Sequence, residues 1–130
     1  MTEFIHVDVA IERPLATVYE FAAGPANLPQ WASGLTTSLE RVGDEWVAES
    51  PIGRIGIRFA DRNDLGVLDH WVRLPSGATE YNPVRAFADG DATRVVFSVH
   101  RSPSLTDEQF AADVETVRAD LRTLRKLLEG

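Results

Sequence analysis

Residues Phe4–Ile11, "FIHVDVAI", alternate apolar and polar at period two. Ile5, Val7, Val9 and Ile11 fall on one face of an extended chain, with His6 and Asp8 on the other, which predicts a half-buried strand. At Pro14 the period changes. Leu15, Val18, Tyr19 and Ala22 recur at the spacing of one helical face, Pro14 suits the first helical position, and Gly24 stops the helix. The next segment, "GPANLPQWASGL" at residues 24–35, is too short and too rich in proline for more than one further turn. Asn27 is its expected cap and Trp31 stands at its end.

Period two then returns for residues 36–101. "TTSLERV" and "EWVAES" flank Gly43-Asp44, a hairpin turn, and Ser50-Pro51-Ile52-Gly53 makes another turn. In "IGRIGIRFA" Ile55, Ile57 and Phe59 share one face against Arg54, Gly56 and Arg58. "LGVLDHWVRL" runs to Pro75-Ser76-Gly77, "ATEYNPVRAFA" to Asp89-Gly90-Asp91, and "TRVVFSVHR" completes a meander. Pro83 removes a ladder donor from the fifth of these runs, so a bulge or bend is expected there.

The last segment carries the strongest helical signal. Thr106 and Gln109 have the spacing of a capping box, with Leu105 and Phe110 placed as a hydrophobic staple. Phe110, Val114, Val117, Leu121, Leu124 and Leu128 then form one stripe along a helix of about 24 residues, roughly 36 Å long, ended by Gly130. The order of elements gives a single α+β domain over residues 1–130. It has a curved antiparallel sheet of six to seven strands, two short helices after the first strand, and one long C-terminal helix. One helix covers only part of such a sheet. Trp31 is therefore expected either to plug the uncovered end or to pack in a continuous core.

Composition narrows the function classes. The chain of 130 residues is 44% hydrophobic and 25% charged, as in globular domains, and no apolar run nears the ~20 residues of a membrane span. It has no cysteine, so disulfides, thiolate metal sites and a cysteine nucleophile are excluded. A net charge of −7 argues against nucleic acid and against anionic membranes as partners; the basic "RTLRK" near the C-terminus offsets a helix dipole. "MTEFIHVDVA" lacks the basic start of a secretory signal, so a cytoplasmic location is expected. His6, His70 and His100 show no metal-ligand spacing, and neither G-x-S-x-G nor a phosphate loop occurs. No metal or cofactor is expected.

"VDVAIERPLATVYEFAAGPANLPQWASGL" at one end and "SPSLTDEQFAADVETVRADLRTLRKLLEG" at the other resemble the START-like (SRPBCC) superfamily of helix-grip proteins, most of all its polyketide cyclase/dehydratase-like branch. The resemblance spans nearly the whole chain. It implies a deep cavity between the sheet and the C-terminal helix, and a small hydrophobic molecule as partner. The expected walls are Trp31, Ile57, Phe59, Trp71, Phe97, Val117 and Leu121.

Alternation puts Val67, Asp69 and Trp71 on one face of their strand and Leu68, His70 and Val72 on the other. If Trp71 faces the cavity, Asp69 does too. A desolvated Asp69 with a raised pKa is then an acid or base; paired with an arginine, it is a structural ion pair. Tyr81 and Arg85 share a face if the pleat survives Pro83, and facing inward they could anchor an oxygenated ligand. Two activities follow: binding of an apolar ligand with Asp69, Tyr81 and Arg85 as polar anchors, or a cyclase/dehydratase-type reaction. In the second, Asp69 is the base and Tyr81 and Arg85 stabilise an enolate. An interaction protein pairing through a sheet edge or forming a homodimer is a third reading, and the oligomeric state stays open.

Overall fold

The alternating N-terminal run forms β1 (Phe4–Ile11), with Val7, Val9 and Ile11 buried along one side. The structure is a computed structural model that describes residues 1–32, 36 and 38–130. Residues 33–35 and 37, which include part of the 24–35 segment and of the strand expected from Thr36, lie outside the described residues.

Pro14 is the N-cap of α1 (Leu15–Ala22), one position earlier than expected. A 3-10 turn (Pro25–Asn27) leads into α2 (Leu28–Trp31). Asn27 does not cap α2 through its side chain. Its Nδ2 instead donates to the Phe21 carbonyl at 3.1 Å, an acceptor at the end of α1 that Gly24 N–H also reaches at 3.3 Å.

The strands that follow are β2 (Glu40–Val42), β3 (Glu45–Ser50), β4 (Gly53–Phe59), β5 (His70–Arg73), β6 (Thr79–Asn82), β7 (Val84–Asp89) and β8 (Ala92–His100). The described residues thus contain eight strands rather than six or seven, because Pro83 divides one expected strand into β6 and β7. All pairs are antiparallel, in the orders β2-β3-β4-β5-β6 and β1-β8-β7. Pro83 marks the seam between the two groups, yet the register runs through it unchanged. Val67 faces Arg85 and His70 faces Asn82 at the same offset. Leu68 N–H donates to Val84 O at 2.8 Å, and Ser98 N–H to Pro83 O at 3.0 Å. The chain bends at the proline without gaining a residue, so both faces keep their side chains.

The sheet curves around α3 (Asp107–Glu129), which packs chiefly on β1, with α2 and β8 beside it. Phe110, Val114, Leu121 and Leu124 are buried along the predicted stripe. The capping box is formed: Thr106 Oγ1 accepts from Gln109 N–H at 3.1 Å, and Gln109 Oε1 from Thr106 N–H at 2.9 Å. The architecture is a helix-grip α+β fold.

Candidate functional site

Cross-strand pairing decides which face of β5 looks inward. Val72 stands opposite Ile57 and His70 opposite Phe59, so the apolar face of β4 continues into His70 and Val72. Trp71 stands opposite Arg58 on one side and Tyr81 on the other. It therefore belongs to the face turned away from α3. There its indole stacks on Tyr81 with centroids 5.3 Å apart, and the Arg58 guanidinium lies 5.8 Å above it.

Asp69, Tyr81 and Arg85 are together, as alternation allowed, but they are spent on one another. Asp69 Oδ1 accepts from Val84 N–H and Arg85 Nε, both at 2.9 Å. Its Oδ2 accepts from Arg85 Nη2 at 2.8 Å and from the Tyr81 hydroxyl. Burial alone would raise the Asp69 pKa, but the bonds from Arg85, Tyr81 and Val84 outweigh it and hold it at about 2. Tyr81, donating to a carboxylate, is pushed up, and so is Arg85. This corrects the expectation of a raised Asp69 pKa: the geometry is the structural ion pair, bidentate and saturated, and Asp69 lines a small void of about 60 Å³ rather than the main cavity. No acid–base step through Asp69, with Tyr81 and Arg85 stabilising an enolate, survives it.

A cavity of about 440 Å³ opens between the sheet and α3, and none of Asp69, Trp71, Tyr81 and Arg85 lines it. Its apolar wall is Leu28, Trp31, Leu74, Phe97, Val99 and Val117, with Ile52 from the β3–β4 turn at its mouth. Trp31, Phe97 and Val117, from the expected set, are among its lining residues. Ile57 and Leu121 are 0% and 1% exposed, line no part of this cavity and belong to the packed core. Phe59 lines a second, smaller void of about 60 Å³ instead. Leu28, Trp31 and His70 line both spaces and form the partition between them. Trp31 is a dividing wall rather than a plug at the rim, and its buried Nε1 has no hydrogen-bond partner among the described residues.

The polar wall was not read from the sequence. It consists of His70, Glu80, Asn82, His100, Asp113 and Asp120, with serine and threonine hydroxyls around them. Burial pushes His70 down to about 4, against its hydrogen bond with the Leu68 carbonyl and the charge of Asp69, so its ring is neutral at pH 7. The Ser102 hydroxyl donates to Glu80 Oε1 at 2.9 Å, and His100 Nε2 lies 3.8 Å from Oε2. Burial raises Asp113, the charge of Glu80 raises it further, and His100 opposes both. The available signal was the alternation of "TEYN", which sets Glu80 and Asn82 against Tyr81; the aromatic and arginine drew attention to the wrong side of the strand.

Among the described residues no group of three or more His, Asp or Glu is placed to hold a metal ion, and no helix is long and apolar enough to cross a membrane. What the cavity offers chemically is an apolar lining with one acidic, hydrogen-bonding pole.

No family model and no curated protein matches the chain. Solved structures do. The chain superposes on XoxI from Bacillus cereus with a TM-score of 0.74 at 14% identity, covering 96% of this chain and 94% of that one. It is similar to Ara h 8.0201 with a TM-score of 0.69 at 11% identity, covering 98% of each chain. It also matches DynU16, described as a protein of the dynemicin biosynthetic locus, with a TM-score of 0.72 at 16% identity. That match covers 97% of this chain but only 47% of DynU16, so the chain spans about half the length of that relative. At such identities the likeness is one of fold.

Proposed function

We propose that this chain binds a small, largely apolar molecule in the cavity between the sheet and α3. The observation that carries the reading is the cavity of about 440 Å³, walled by Trp31, Phe97, Val99 and Val117 and left unfilled by the one helix that closes the sheet. That volume lies within the range of small-molecule sites, about 300–1,000 Å³, and its mostly apolar lining with a few convergent polar groups is their usual composition. Burying about 250 Å² of ligand surface at about 25 cal/mol per Å² supplies roughly 6 kcal/mol before the cost of association. Similarity to Ara h 8.0201 and DynU16 supports the fold that frames this space and leaves the ligand to this chain's own residues.

Titration with N-phenyl-1-naphthylamine, an uncharged fluorescent lipophile, tests the reading. The folded protein should enhance its emission saturably, and Val117→Trp, which fills the cavity from α3, should weaken binding at least about tenfold while the melting temperature holds. An absence of enhancement, or a Val117→Trp protein that binds as well as the parent, would overturn it.

A further inference from the structure

One buried donor in the cavity wall lacks a partner. Trp31 is 5% exposed, and its Nε1 is the one buried side-chain nitrogen or oxygen without a hydrogen bond among the described residues. An indole N–H only donates, so no change of tautomer or protonation removes the demand for an acceptor. Native folds rarely leave such a group unpaired, because its hydration is lost and nothing replaces it.

The position of Trp31 makes this donor relevant to a ligand. Trp31 ends α2, a single turn, and it lines both the cavity of about 440 Å³ and the void of about 60 Å³. With a hollow on either side the ring has room to turn, and no hydrogen bond from its N–H to a described residue holds it. A turn toward the cavity presents the donor in a wall that is otherwise apolar around it, where Leu28, Phe97 and Val99 also stand.

The charged lining residues restrict what the acceptor can be. Glu80, Asp113 and Asp120 are acidic, and among the described residues no lysine or arginine lines the cavity. A carboxylate or phosphate would enter against like charge. The fitting acceptor is uncharged.

We propose that the ligand carries an uncharged carbonyl oxygen, as in a ketone or ester, and that Trp31 turns to donate its indole N–H to it. The inference rests on the reading that the cavity binds a small apolar molecule, and it names the chemical class.

Two probes of one shape separate the levels of the claim: 2-acetylnaphthalene, and 2-isopropenylnaphthalene, in which a methylene group stands in place of the carbonyl oxygen. In nitrogen-15-labelled protein the Trp31 indole resonance, assigned by triple-resonance spectroscopy, should move downfield with the ketone and not with the alkene. This measurement uses the parent protein, so it stands even if Trp31→Phe does not fold. By displacement of N-phenyl-1-naphthylamine, the parent's preference for ketone over alkene should exceed that of Trp31→Phe at least about fivefold. Comparing preferences cancels the different hydration of the two probes and any change of shape that both feel. An indole proton whose shift in the free protein is already that of a bonded N–H would overturn the carbonyl and leave the cavity reading standing. So would a resonance that answers both probes alike, or a preference that Trp31→Phe leaves unchanged. Failure of both probes to bind would remove the cavity reading itself.

Discussion

Replacing Asp69 with asparagine tests the central correction to the site. The side chain keeps its shape and loses its charge, while Arg85, Tyr81 and the Val84 N–H remain around it. The folded Asp69 sits at about 2 against an ordinary 3.8, and that shift corresponds to at most about 2.4 kcal/mol of stability. Arg85 is 53% exposed, so solvent screens part of the attraction and about 1–2 kcal/mol is expected. The sign follows from the direction. A carboxylate whose pKa falls on folding stabilises the fold above about pH 4, and the contribution is lost between about pH 4 and pH 2. Urea unfolding of both proteins across that range gives the answer. The difference should be flat at pH 5–7 and shrink toward zero near pH 2. A catalytic carboxylate with a raised pKa would give the opposite slope, the parent gaining on the variant as acid is added from neutral pH. That slope, or a variant as stable as the parent at pH 6, would refute the reasoning.

Three further outcomes follow from other parts of the molecule. Gly66 has φ +75° and a Cβ there would run into the Ala86 carbonyl oxygen, so Gly66→Ala should cost more than about 2 kcal/mol in thermal or urea unfolding. Thr106→Ala removes the acceptor for Gln109 N–H and should cost about 1 kcal/mol, read from the urea midpoint, with no effect on probe binding. His70, held down at about 4, should show a single neutral tautomer by nitrogen-15 NMR at pH 5.5, where an ordinary histidine is mostly protonated. Its contribution runs against acid: the unfolded chain takes up the proton first, so stability falls as pH drops from about 6.5 toward 4.

Local signals were the ones the sequence carried well. Thr106, Gln109 and the stripe from Phe110 to Leu128 specify α3 within one residue of its observed ends, because caps and helical period are properties of neighbouring residues. The turns at Gly43-Asp44 and Gly90-Asp91 were equally plain, each joining two strands directly. Which side of β5 faces inward was not legible. Alternation separates Asp69 and Trp71 from His70 and Val72, but only pairing with β4 tells the two faces apart. That register is long-range: Arg58 opposite Trp71 turns the indole outward, and Ile57 opposite Val72 turns the valine inward. The same gap hid Glu80, whose neighbour Tyr81 looked the better ligand contact. Pro83 was read as a bulge or a bend, and long-range pairing decides between them: it divides a strand without an inserted residue, so side chains keep their faces.

Asp69 stands opposite that proline and takes the Val84 N–H just beyond it, so the junction where β6 gives way to β7 is fastened by a side chain. The vessel's outline and its contents are consequently written in different residues. Tyr81 and Arg85 hold Asp69 on one side of the wall, whereas Glu80, Asn82 and Val117 line the hollow on the other. A lineage could rewrite the second set repeatedly, trading one guest for another, and inherit the same container each time.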